Sequence, residues 1–386
     1  MNNSLFLKSC ILSAGLLSVL ACSPQNPRRE APLETNKVVE ISADNNSEVE
    51  VNSKLDILFV IDDSNSMGPH QKNMSDNISE FVKAFGKNNL IDFHIGITKV
   101  FDSEIQLRKE ENRTSRQVKI TPAGQLLPLK APKGLEESIK GQPPYITKAT
   151  PNYLKVLEAS LKVCETAQCP PDGPVFEESF SPVMEAFNET NLSGPNAGFY
   201  RPDAHLAIIF ITDAEDATKG VSASRLSKYL EELKGGNSKL VSAYGVLVPS
   251  SDPNCKRDNG NIPPTKIEKF LSHYGNLPVS LCSKSFGKDL AKIGIDLSRR
   301  IDRKVIPLKF VPQMNSLDDV LVTYGGQKIN PDFETGWTYI PHDAPGGPAI
   351  VLGDKLAIEY KENAKLRIRA TPVRMENLTN GRTKKL

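Results

Sequence analysis

Residues 57–68 read ILFVIDDSNSMG. Ile57–Ile61 is an unbroken apolar run, the pattern of a central parallel strand covered on both faces. The character changes abruptly at Asp62, and Asp63, Ser64, Asn65 and Ser66 follow without a break. A strand that stays apolar to its end and then delivers a carboxylate and two hydroxyls spaced by two is leaving the sheet at its carboxyl edge. In open α/β sheets that edge is where ligands bind.

The flanking sequence supports such a sheet. Pro69 stands where a helix would begin, which suits its missing N–H. Met74, Ile78, Phe81, Val82 and Phe85 then recur at helical spacing, with Gly86 placed to end the helix. Residues 92–100 alternate as a second strand. The stretch 102–150 is charged and rich in Pro and Gly and reads mostly as loop, with one edge strand near Gln117–Thr121. Leu154, Leu157 and Leu161 mark a helix, and Phe176 to Phe187 mark another that Pro182 would bend. Leu206–Thr212 and Leu240–Val248 are further buried strands, with helices at 226–233, 267–271 and 286–301. Strands alternating with helices predict a Rossmann-like, doubly wound, mainly parallel α/β sheet with helices on both faces. After Lys304 the pattern becomes short strands at 320–323, 336–340, 349–352, 356–360 and 366–369, separated by Gly, Pro, Asn and Asp. This predicts a small C-terminal β module that ends in a frayed tail of about ten residues.

Asp213, in IIFITDAED, closes the second apolar strand as Asp62 closes the first. Two carboxylates from separate strands would meet Ser64 and Ser66 at one edge, on loop ends at the surface. Hard oxygens of this kind suit Mg²⁺ first, with Mn²⁺ or Ca²⁺ also possible, rather than a soft metal. With only two full charges facing it, a divalent ion keeps a position that an outside carboxylate can fill. Asp62-x-Ser64-x-Ser66 after an apolar strand, with Thr212-Asp213 after a later one, resembles the metal-ion-dependent adhesion site (MIDAS) of von Willebrand factor A (vWA) domains. The resemblance implies that Ser64 and Ser66 ligate the metal directly and that Asp62 and Asp213 act mostly through bound water. It also implies a third loop near 164–176 that supplies a Thr. There the sequence reads CETAQCPPDGPVF, which departs from the pattern and leaves Thr166 and Asp172 as candidate oxygens. Asp63, Glu215 and Asp216 read as solvated rim or loop-capping charges.

The amino terminus is set apart from the fold. Lys8 precedes an apolar stretch, Ile11–Leu20, and Leu20-Ala21-Cys22 follows, which resembles the lipobox of bacterial lipoproteins. That resemblance implies cleavage before Cys22 and lipidation of its thiol. Ser23, next in line, implies the outer membrane as the destination. Residues 1–21 are then a signal peptide, 22–50 a tether, 51–304 the vWA-like domain, and 305–386 the β module and tail. The segments Phe176-Glu177, Arg201 to Ala207, and the late Cys255 and Cys282 resemble a bacterial lipoprotein subfamily carrying this domain over about residues 50–312.

With Cys10 lost and Cys22 acylated, Cys164, Cys169, Cys255 and Cys282 remain. An even number in an exported chain suggests disulfides, by local order Cys164–Cys169 and Cys255–Cys282. A four-cysteine zinc site would want two close pairs, and 255 and 282 are too far apart for one. The 386 residues carry a net charge of +2 and no long basic block, which argues against nucleic acid. There is no nucleophile elbow, no P-loop and no HExxH spacing, so an enzyme is not expected. His70 reads as a surface histidine near the metal loop. Trp337 reads as a core aromatic rather than a sugar platform. The expected function is that of a membrane-anchored adhesion-type protein, which binds a protein partner's Asp or Glu through the metal. The competing reading is an envelope scaffold with a vestigial metal site.

Overall fold

The computed structural model describes residues 37–39, 47–51, 54–85, 91–110, 121–164, 169, 174–252, 254–255, 262–301, 305–345, 347–353, 355–358, 361 and 364–373. The expected signal peptide, Cys22, residues 117–120 of the expected edge strand, Thr166, Asp172 and the last ten residues lie outside them.

In chain order the elements are β1 (Lys37–Val39), β2 (Ser47–Val51), β3 (Lys54–Ile61), α1 (Gly68–Phe85), β4 (Asp92–Lys99), α2 (Ser103–Glu110), β5 (Tyr145–Ile146) and α3 (Tyr153–Leu161). There follow α4 (Phe180–Ala186), α5 (Glu189–Ser193), β6 (His205–Thr212), α6 (Ala223–Leu233), β7 (Val241–Leu247), α7 (Thr265–His273), β8 (Val279–Ser280) and α8 (Phe286–Ile301). The chain continues with β9 (Val305–Pro307), β10 (Leu321–Tyr324), β11 (Gln327–Ile329), β12 (Trp337–Ile340), β13 (Ala349–Leu352) and β14 (Leu366–Ala370).

The central sheet has the order β5-β4-β3-β6-β7-β8, parallel throughout except for the short antiparallel β5. Every residue of β6 and all but the first of β3 are buried, because successive side chains serve opposite faces. Ile57, Phe59 and Ile61 pack with Ile209 and Ile211 under α1, α3 and α8. Leu58 and Val60 pack with Ile208 and Phe210 under α4, α6 and α7. A strand buried on both faces has no polar position to spare, which is why these runs do not alternate in polarity. This is the doubly wound α/β fold that the sequence predicts. Its order reverses between β4 and β6 around β3, so the topological switch point lies at the carboxyl ends of β3 and β6.

Several local expectations change. The helix predicted from Phe176 begins at Phe180, so Pro182 falls in its first turn, where no N–H is required, and does not bend it. Residues 103–110, predicted as loop, form α2. Its polar sequence carries no apolar stripe, and its start is capped by Asp102 Oδ1, which accepts from Ile105 N (3.0 Å).

The tether predicted over 22–50 does not extend through 37–39 and 47–50. β1 pairs with β2, and β2 pairs antiparallel with β14, joining the segment before the α/β domain to the segment after it. The β module is therefore built from both sides of the chain. One of its sheets runs β1-β2-β14-β10-β11, and the other β12-β13-β9. Val49, Val51, Val322, Ile350 and Ile368 fill its core around Trp337. Trp337 is fully buried and donates from Nε1 to Ile329 O (2.9 Å), as a core aromatic should. The strand expected at 356–360 is absent from Leu356–Ile358, and β11 stands where none was predicted.

Candidate functional site

The carboxyl ends of β3 and β6 meet directly, with Asp62 N donating to Ile211 O (2.9 Å). Both strands then turn away, and the four expected residues converge at that point. Asp62 Oδ1 accepts from Ser64 N (2.8 Å), and Asp62 Oδ2 accepts from Thr212 Oγ1 (2.6 Å). Ser66 Oγ donates to Asp213 Oδ1 (2.9 Å), and the Ser64 and Ser66 hydroxyls lie 2.8 Å apart. With the Ser66 proton committed to Asp213, Ser64 donates to Ser66. One hydrogen-bonded chain thus runs from the β3–α1 loop to the end of β6.

These are not surface loop ends. Asp62 and Asp213 are fully buried and Ser64 almost so, while Ser66 is half-buried. Burial first, and then the charge of Asp213, push the Asp62 carboxyl well above the usual carboxylate range, and hydrogen bonds from Thr212 and Ser64 offset this only in part. His70, expected at the surface, is buried on α1. Burial lowers its pKa, against the pull of the Asp213 charge. Two buried carboxylates that repel one another, with two hydroxyls beside them, form a hard-oxygen donor set, and a divalent cation relieves their repulsion. Asp62, Ser64, Ser66 and Asp213 therefore fit such an ion. Among the described residues, no group of three or more His, Cys, Asp or Glu is arranged to hold one. The hydroxyls are thus integral to the donor set.

The neighbouring acids have other tasks. Asp63 pairs with Lys99. Glu215 Oε2 accepts from Thr265 Oγ1 and Lys266 N (both 2.8 Å) at the start of α7. Asp216 is buried rather than solvated. Its Oδ1 accepts from Ser179 N (2.8 Å), Phe180 N (2.9 Å) and Thr218 Oγ1 (2.6 Å), so it caps α4 from a distant loop, and it pairs with Lys266. Asp102 Oδ2 accepts from Val175 N (2.9 Å) and Phe176 N (3.1 Å), whose side chains are exposed beside the site.

The sequence reading passed over Glu177 in this third loop. Burial, and then the charges of Asp62 and Asp213, raise its pKa strongly. In the sequence it stands at the end of the divergent loop, in the Phe176-Glu177 pair, with no spacing that marks it as a ligand. Both expected disulfides are present, Cys164–Cys169 (Cα–Cα 5.0 Å) and Cys255–Cys282 (5.4 Å). The second ties the loop after β7 to the one before α8, on the same edge of the sheet as the site.

The order of the central sheet, and the meeting of Asp62, Ser64, Ser66 and Asp213 at its switch point, are the arrangement that the resemblance to vWA domains implies. Among solved structures, the chain is similar to proximal thread matrix protein 1 from the mussel byssus, at 15% identity and a TM-score of 0.35, over 64% of this chain and 49% of that one. It is similar to a von Willebrand factor type A protein from Catenulispora acidiphila at 13% identity and a TM-score of 0.34, over 85% and 61% of the two chains. It is also similar to BatB from Bacteroides thetaiotaomicron at 14% identity and a TM-score of 0.33, over 64% of this chain and all of that one. The match spans about half the length of the mussel protein. The fold class rests on strand order and connectivity. No protein family matched the sequence, and no curated protein did.

Proposed function

We propose that this chain is a non-enzymatic, lipid-anchored envelope protein that binds a protein partner through a divalent cation at Asp62, Ser64, Ser66 and Asp213. The observation that carries the proposal is the hydroxyl chain from Ser64 through Ser66 to Asp213, at the switch point of the sheet. Mg²⁺ is the favoured ion, and Mn²⁺ or Ca²⁺ would also suit these oxygens. The bound ion would supply Lewis acidity toward a carboxylate. Ser64 and Ser66 contribute neutral oxygens, so the site retains positive character toward an Asp or Glu from outside. Thr212 holds Asp62 in place and in turn accepts from Ala214 N (3.1 Å), which fixes the chain on either side of Asp213.

Calorimetric titration with Mg²⁺ and Mn²⁺ tests the site in wild type, Ser64→Ala/Ser66→Ala and Asp213→Ala, with circular dichroism to confirm that each is folded. The expected result is weaker binding in both variants. Equal affinity in all three would leave the serines only bracing the loop and remove the proposal. The anchor rests on the Leu20-Ala21-Cys22 sequence, and the outer membrane on Ser23. No described helix is long and apolar enough to cross a membrane. Cys22→Ser should abolish incorporation of labelled palmitate, and persistent labelling would refute the anchor.

A further inference from the structure

Accepting that cation site, we infer that Glu177 is its third-loop donor, a charged residue where the resemblance implies a neutral threonine. The loop that carries it is pinned on both sides. The backbone N–H and C=O of Phe101, just past β4, both pair with Glu178 (2.9 Å each). Asp102 holds the N–H groups of Val175 and Phe176. On the other side, Ala217 N, four residues past Asp213, donates to Glu177 O (3.0 Å). The end of β4 is itself joined to β3 through Val100 N and Ile61 O (3.1 Å). Glu177 therefore sits on a bridge from the β4 side of the switch point to the β6 side, across the end of β3 that carries Asp62.

The two adjacent glutamates have separate roles. Glu178 is buried, and its carboxylate accepts from Ser103 and from Ser181 Oγ (2.8 Å), so it serves the loop. Glu177 is half-buried. It takes a hydrogen bond from its own N–H and feels the charges of Asp62, Asp213 and Asp102. Among the described residues, no Lys or Arg forms an ion pair with it. A carboxylate held near three like charges with no described countercharge is explained by a cation that those charges share. Among the described residues the three acids form no ready-made cluster, so the assignment has the Glu177 side chain turn toward the ion. A bound ion would turn their mutual repulsion into shared attraction, with Glu177 as its donor from the third loop. Glu177 would then add a third carboxylate beside Asp62 and Asp213, which strengthens cation affinity.

Terbium(III), an oxygen-seeking luminescent probe, tests this in the intact protein. Comparing its decay in H₂O and D₂O counts the waters on the bound ion. Glu177→Gln keeps the shape of the side chain and all the backbone ties of the loop. It should weaken Tb³⁺ and Ca²⁺ binding by roughly tenfold and add about one bound water, as expected on losing a charged oxygen ligand. Asp213→Ala separates the two readings. If Asp213→Ala weakens Tb³⁺ binding while Glu177→Gln leaves affinity and water count unchanged, the Glu177 assignment is overturned and the site stands. If neither variant differs from wild type, both are overturned.

Discussion

Arg201 offers a direct test of how the opposite edge of the sheet is held. Asp56, on β3, is fully buried. Its Oδ2 accepts from Arg201 N (2.7 Å), and its Oδ1 accepts from Arg201 Nε (2.8 Å). The same guanidinium pairs with Asp92 Oδ1 (3.0 Å) and donates to the carbonyls of Leu55 (3.1 Å) and Asp92 (3.0 Å), so one side chain stitches β3 to β4. Burial raises the Asp56 carboxyl to about 6 against the pull of Arg201, which leaves it ionised at pH 7. Arg201→Met would strand that charge, and removing one member of a buried pair costs about 3–5 kcal/mol. At roughly 2–4 °C per kcal/mol for a domain of this size, Tm should fall by about 6–20 °C. Urea unfolding at pH 7 should be followed by far-UV circular dichroism, because the sole tryptophan, Trp337, reports on the β module instead. Asp56→Leu/Arg201→Met removes both charges and should recover much of the loss. The reasoning fails if Arg201→Met costs less than about 1 kcal/mol, or if the double variant is no more stable than the single one.

His94 predicts a pH dependence. Burial, followed by the charge of Arg201, lowers its pKa from 6.5 to about 4, while its Nδ1–H donates to Phe199 O (2.9 Å). The unfolded chain binds the proton first, so stability falls as pH drops below 6.5 and levels off below about 4. The loss at pH 5 should be about 2 kcal/mol. Thermal melts of wild type and His94→Gln between pH 7 and 4.5 check this, and parallel curves would contradict it. Reduction supplies a third test. The Cys255–Cys282 bond, with a sequence separation of 27, should contribute about 3.5 kcal/mol in the chain-entropy model. A Cys255→Ala/Cys282→Ala variant that melts with the wild type would refute that contribution.

The strands legible in the sequence are those whose burial on two faces forces an unbroken apolar run, namely β3, β6 and β7. β2 was hidden for the opposite reason. Ser47–Val51 reads SEVEV, with Val49 and Val51 buried and Glu48 and Glu50 turned toward Arg367 of β14 and Lys365 just before it. The alternation is present, but its partner strand lies more than three hundred residues away, and a short polar stretch after an expected anchor resembles a tether in composition. α2 had no apolar stripe to betray it, because its start depends on the Asp102 cap.

The site was legible in proportion to how local its chemistry is. Asp62, Ser64 and Ser66 are adjacent in sequence, and Asp213 ends an apolar strand as Asp62 does, so pattern alone brought them together. The roles of the other acids depend on partners that sequence spacing does not reveal. Asp216 is separated from Ser179 by 37 residues, and Asp102 from Val175 by 73. Each of these carboxylates satisfies backbone N–H groups that a buried loop could not leave unpaired, since an orphaned buried donor costs about 1–3 kcal/mol. Asp102, Glu215 and Asp216 are thus spent on holding the third loop, α4 and α7 in place, and Glu178 on its serines. Counting acids along the sequence therefore overstates the charge available to a cation. Asp62 and Asp213 are the carboxylates left at the switch point, with Glu177 proposed beside them, and the surrounding acids fix where the loops stand.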